Sequence, residues 1–369
     1  MAHGHATEIR PVLTDIGAAT PPPARLPDIR AVNTKIIMEM VRGTGRISRA
    51  ELSRACGLSK PTVSSIMRAL EQAGIVQVAG CAQGRAGRAP VLYEIGHDVD
   101  WVLGGEIRGG GVQVAISRAG DPRRLSLEGR LTATDSGHRA SQLVALIDEL
   151  SGKAGVATHQ LAFAAFAVSQ AAAVSQAAAV PRATDESQHH AEYVALRVAL
   201  DQALGARYSI EHAAPMAALA EYRRRGCEPP RSLAFVSVGS QLDLGLVLSG
   251  RIHRGAHYQP GRRAGLVTGL AEVSMEQRAL LSARFLCQLI GLIDPELILL
   301  GGPLAREPGF FDLVKALTQR LGGGLAVDLE TSTLADPVLG GCVALAADEA
   351  WHRALADSGS RHGPPGTAG

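Results

Sequence analysis

Between Arg42 and Pro90 the chain is punctuated so densely that few folds can accommodate it. Ser48-Arg49-Ala50-Glu51 is an S-x-x-E capping box, in which each side chain satisfies a free amide at the start of a helix. A short helix must therefore open there, and Gly57 closes it. Gly57-Leu58-Ser59 then leads to a second start, with Ser59 as cap and Pro61 tolerated in a first turn whose amides have no intrahelical partner. Val63, Ile66, Met67 and Leu70 follow at helical spacing as a buried stripe, and Gly74 ends the run. Upstream, Asp28 can cap a helix carrying Ile29, Val32, Ile36, Ile37, Met40 and Val41, stopped by Gly43 and Gly45. Downstream, two β runs, Ile75 to Val78 and Val91 to Ile95, flank a glycine-arginine hairpin. Three helices and a basic hairpin predict a winged helix-turn-helix over 28–98.

Charge supports a reading of that unit as a nucleic-acid binder. The whole chain holds 37 basic and 35 acidic residues, a formal +2 that points to no partner. From Arg42 to Pro90, however, eight basic residues face only Glu51 and Glu71, so this segment is +6 and the remainder −4. A local surplus of this kind suits a phosphate backbone. Opposite its buried stripe the third helix presents Lys60, Thr62, Ser64, Ser65 and Arg68, short polar groups between two cations, fit to enter a major groove. Arg49, Ser59 and Pro61 complete the expected contact set at the helix starts. In the wing, Arg85 and Arg88 stand on a glycine-flanked loop suited to a minor groove. Arg42 and Arg54 read as ordinary surface charges and Cys56 as core. The bland alternative is a basic bundle that binds an acidic protein.

The rest of the chain reads as a second, larger domain. Residues 1–27, with Pro21, Pro22 and Pro23, are expected to be a flexible lead-in, and 358–369 a flexible tail. Between them, 99–357 is an α/β domain. Val102 to Glu106 with Val112 to Ser117, and Leu233 to Val238 with Leu244 to Leu248, read as hairpins. Helices are expected over 140–150, 273–293, 309–321 and 338–355, with a strand at Leu297 to Leu300. The hexapeptide VSQAAA occurs at Val168 and again at Val174, a local duplication. Five cysteines without a C-x-x-C pair, and no hydrophobic stretch for export or membrane crossing, predict a cytoplasmic protein with reduced thiols.

The run SRAELSRACGLSKPTVSSIMRALEQAGIVQ, its arginine-glycine wing and the C-terminal IGLIDPELILLGGPL together resemble regulators of the ROK family (repressor, open reading frame, kinase) over 29–355. The resemblance implies a MarR-like winged helix-turn-helix joined to an actin-like, ribonuclease-H-like two-lobed domain, and a homodimer or homotetramer. It also implies what a sugar kinase of the family would need, and the sequence departs from each requirement. Leu103-Gly104-Gly105-Glu106 keeps the glycines of a phosphate hairpin but has glutamate where aspartate is expected. Ala213 stands where the catalytic aspartate should follow Glu211-His212. Val238-Gly239-Ser240-Gln241-Leu242-Asp243-Leu244-Gly245 is bulkier than the family's second phosphate loop. Gly261 to Val267 lacks the sugar-binding glutamate, the zinc-binding histidine and the cysteine cluster, so no metal or other cofactor is expected. The helical segment that usually follows this loop is also missing.

These readings converge on a sequence-specific DNA-binding transcription regulator, a repressor, with double-stranded DNA as partner at an inverted repeat. The ROK domain is then a pseudo-kinase that serves as an oligomerisation scaffold. A small-molecule effector, a sugar or sugar derivative, is a further candidate partner in the interlobe cleft, lined by Ser169, Gln170, Glu211, His212 and Arg263. The alternative is an ATP-dependent sugar kinase with an appended DNA-binding domain.

Overall fold

A computed structural model describes residues 26–81, 89–96, 100–108, 110–119, 121, 123–133, 135–169, 184–225, 232–255, 269–323 and 327–360. The N-terminal head contains α1 (Leu26–Thr44), β1 (Ile47–Ser48), α2 (Arg49–Cys56), α3 (Lys60–Gln72), β2 (Val76–Cys81) and β3 (Val91–Ile95). The capping box forms as its spacing requires. Ser48 N donates to Glu51 Oε2 at 2.9 Å and Glu51 N donates to Ser48 Oγ at 3.3 Å. Gly57 ends α2 at φ 67°, a left-handed conformation that costs glycine least. The stripe of α3 is buried at Val63, Ile66, Met67 and Leu70, as the spacing predicts. One expectation is shifted: α1 spans Leu26–Thr44, so the helix already includes Asp28, where the sequence places its start. Of its apolar residues, Ile37, Met38 and Val41 reach the core, whereas Ile29 and Val32 stand in solvent. The three strands pair antiparallel in the order β1-β3-β2.

The body consists of two lobes built on one strand plan. Lobe one holds β4 (Trp101–Arg108), β5 (Gly111–Arg118), β6 (Leu125–Arg130), α4 (Ser136–Ala154), β7 (Phe163–Val168), α5 (Thr184–Leu204) and β8 (Tyr208–His212). Its sheet runs β6-β5-β4-β7-β8, an antiparallel meander continued by two parallel strands. After α6 (Ala213–Arg224), lobe two holds β9 (Ser232–Val238), β10 (Leu242–Leu248), β11 (Arg251–Ile252), α7 (Met275–Ile293), β12 (Leu297–Gly301), α8 (Phe310–Leu321) and β13 (Asp328–Thr331). Its sheet, β11-β10-β9-β12-β13, repeats the same pattern. The final helix, α9 (Pro337–Ser360), extends into the expected tail.

Two helices are exchanged between the lobes. α6 leaves β8 of lobe one and packs on β9 and β10 of lobe two, while α9 leaves lobe two and packs on β4 and β7 of lobe one. They meet at Gly341, where a Cβ would collide with the Met216 carbonyl. Likewise Gly245 of β10 lies against the backbone of Ala214 and Pro215. Such approaches require a residue without a side chain. α4 and α5 cover the other face of the first sheet through Leu143, Ile147, Leu196 and Leu200, and α7 and α8 cover the second through Leu286, Leu289 and Val314. One apolar cluster joins head to body, running from Ile37, Val41 and Met67 to Ala347, Ala350 and Trp351 of α9.

Candidate nucleic-acid interface

The start of α3 is built for presentation. Ser59 Oγ accepts from Thr62 N at 3.3 Å and lies 2.8 Å from Thr62 Oγ1, so cap and first turn are tied together. Lys60, Pro61, Ser65 and Arg68 are exposed, Thr62 and Ser64 half-buried, and the buried stripe fixes which way they face. The positive end of the helix dipole and the two cations Lys60 and Arg68 give a surface that attracts phosphate, and Ser64 and Ser65 add hydroxyls suited to base edges.

Arg49 has a different position from the rest of the expected set. Its Nη2 donates to Glu71 of α3 at 3.1 Å, and its guanidinium lies 4.8 Å from the centre of the Tyr93 ring in β3. It ties the two helices to the wing strands. Arg46 Nε donates to Glu94 at 3.0 Å, and Glu94 also accepts from Gln77 at 3.1 Å, a second tie across the small sheet. Arg85 and Arg88 lie outside the described residues.

The interlobe cleft gathers some of the other expected residues. Val168, His212, Ala213, Ala214, Pro215, Asp243 and Leu244 enclose about 10 Å³ at the start of α6. Ala213 lies at the first turn of α6 with His212 as its cap residue, whose side chain makes no capping hydrogen bond. Glu211 is occupied by Arg254, whose Nη2 donates to it at 2.7 Å. Ser169 N donates to the Ile107 carbonyl at 3.0 Å. Gln170 and Arg263 lie outside the described residues. Glu106 is buried and paired with Arg108 at 2.8 Å; burial raises its pKa. The glycines before it are packing positions, Gly104 against Val343 and Gly105 against Phe166. Among the described residues no cluster of three His, Cys, Asp or Glu could hold a metal, and no helix is long and apolar enough to cross a membrane.

Asp243 is the residue that sequence reasoning undervalued. Burial pushes its pKa up to about 6, against the opposing hydrogen bond that Gln241 Nε2 donates at 3.0 Å. Its signal is one carboxylate inside the apolar strand run Leu242-Asp243-Leu244.

The model of a winged helix-turn-helix DNA-binding family matches residues 33–77, which hold α2, α3 and most of α1. The chain is 36% identical over 86 residues to a xylose repressor of Bacillus spizizenii, covering 21% of this chain and 22% of the repressor. It is 33% identical over 76 residues to a putative xylose repressor of a Caldicellulosiruptor species, 21% of this chain and 19% of that one. The chain thus spans about a fifth of the length of these curated relatives. Among solved structures, a ROK family transcriptional regulator homologous to the E. coli MLC protein superposes with a TM-score of 0.60 at 15% identity, covering 89% of this chain and 98% of the other. A ROK hexokinase from Thermus thermophilus gives 0.50 at 20% identity, over 66% of this chain and 97% of its own. A winged helix-turn-helix head is thereby joined, in one chain, to a body with the two-lobed fold of ROK proteins.

Proposed function

We propose that this chain is a sequence-specific DNA-binding transcription regulator acting as a repressor, with α3 as its reading helix. The observation that carries this is α3 itself: a capped start, a stripe buried to zero or near-zero exposure and an outward face of Lys60, Thr62, Ser64, Ser65 and Arg68. The two relatives named as xylose repressors support the repressor reading. Their match covers about a fifth of each, so their sugar is not carried over to this body. The protein works in the cytoplasm as a homodimer or homotetramer, and its paired heads read half-sites of an inverted repeat. Lys60 and Arg68 hold phosphates together with wing residues Arg85 and Arg88, while Thr62 and Ser65 reach base edges. Arg49 acts through its neighbours by holding α3 and the wing strands in register.

The body is an oligomerisation scaffold without kinase activity. Support comes from Ala213, which has no group to accept a hydroxyl proton at the start of α6, and from the carboxylate of Asp243 at the start of β10, where a bound phosphate would need donors. The shared fold of regulator and hexokinase does not decide between these activities; the site does. Selection of genomic fragments against random DNA tests the reading directly. Enrichment of a paired motif, lost in Lys60→Ala/Arg68→Ala, is expected. No enrichment, or ATP-dependent phosphorylation of a sugar by the purified chain, would overturn it.

A further inference from the structure

Head and body meet at a joint that holds several charged groups away from bulk water. Arg223, at the last turn of α6, donates through Nη1 to Glu39 of α1 at 2.7 Å and through Nη2 to Asp348 of α9. Its side chain is only 11% exposed, so it bridges a carboxylate of the head and a carboxylate of the body away from bulk water. Beside it Arg42 of α1 lies 5.4 Å from the centre of the Trp351 ring. Burial, then the nearby charge of Arg223, push Arg42 down to about 10, with Asp348 and Glu39 opposing. Tyr222 faces the same carboxylate, Glu39, and its pKa is raised mainly by burial. Three buried donors here, Arg42 Nη2, Arg223 Nε and Trp351 Nε1, have no acceptor among the described residues.

An apolar contact would hold the head with less penalty, because burying charges and leaving donors unmet both oppose docking. What apolar burial does not supply is direction. Charge-assisted hydrogen bonds from one planar guanidinium to carboxylates on two elements fix an angle, and in a buried joint they escape screening by salt. The remaining covalent path from head to body is the chain after β3.

From this geometry we infer that Arg223 is a specificity-determining positioning residue: by bridging Glu39 and Asp348 it fixes the orientation of the head on the body and so sets which half-site spacing the protein accepts. The inference rests on the DNA-binding reading above. Adding one base pair between half-sites rotates one by about 34° and shifts it by about 3.4 Å, so a held head tolerates one spacing and a released head several.

The test is a selection on the full chain with two copies of the half-site it enriches, separated by random spacers of varied length. Wild type should favour one spacing about tenfold over its neighbours one base pair away. Arg223→Gln and Arg223→Lys should level the neighbouring spacings to within about twofold while enriching the same half-site sequence, which certifies a folded head. If Arg223→Gln enriches no half-site because it is unfolded, Glu39→Gln and Asp348→Asn, each removing one arm of the bridge, are read in its place. Variants that keep the wild-type spacing profile, or a wild type indifferent to spacing, overturn the inference and leave the DNA-binding reading standing. A wild type that enriches no DNA defeats that reading first.

Discussion

A half-buried carboxylate such as Asp243 leaves a signature in stability. Its pKa rises from an ordinary 3.8 to about 6 through burial. Between those values the folded state holds a proton that the unfolded state has released, so stability falls as pH rises through the window and the full penalty stands above it. Asp243→Asn keeps an oxygen for Gln241 without the charge. It should stabilise the chain by on the order of 2 kcal/mol at pH 8, a difference that vanishes towards pH 4. Denaturant titrations at the two pH values measure it. Arg49 and Lys60 offer a second contrast at this scale. Arg49→Ala should weaken DNA binding without altering its salt dependence, because the guanidinium is engaged with Glu71 and Tyr93. Lys60→Ala should reduce the slope of log affinity against log salt by about 1. A fall in slope for Arg49→Ala would make it a phosphate contact.

At the scale of elements, the exchanged helices make their own prediction. Gly341 brings α9 onto the backbone of α6, and Gly341→Ala should cost about 1–3 kcal/mol by forcing them apart. An unchanged denaturation midpoint would show that the crossing has slack. Elements whose signals are local could be read from the sequence. α3 declares itself through cap, proline and a four-residue stripe, and both hairpins of the body through pairs of short, mainly apolar runs. α5 does not, because Tyr193, Val194 and Val198 are exposed while Leu196 and Leu200 are buried, so apolar residues surround it and no face stands out. β7 is buried on both sides, and its run Phe163 to Val168 carries no period to read. The candidate interface was legible for the same local reason as α3. The joint was not: Arg223, Arg224 and Arg225 are three consecutive arginines with nothing in the sequence to rank them. Only packing sends Arg224 and Arg225 to Glu221 and Arg223 to the head.

For the whole molecule, the shared core means that the head does not stand alone. A fragment of residues 26–96 loses Trp351, Ala350 and Ala347 from its cluster and exposes Arg42 and the apolar residues around it. Its thermal midpoint should lie at least about 5 °C below that of the head in the full chain, equivalent to about 1 kcal/mol in a domain of this size. Circular dichroism on the fragment, and hydrogen exchange at α3 in the intact protein, make the comparison. Equal stabilities would mean that head and body are independent. The same arrangement sets an order of events during synthesis. Arg42 leaves the ribosome early, yet its neighbour Trp351 follows only after a delay of about 15–60 s at ordinary elongation rates. A nascent head therefore exists for that interval without its orienting contacts, and a message cut short before α9 yields a chain able to meet DNA with no fixed geometry. Aim is acquired last, and only by finished chains.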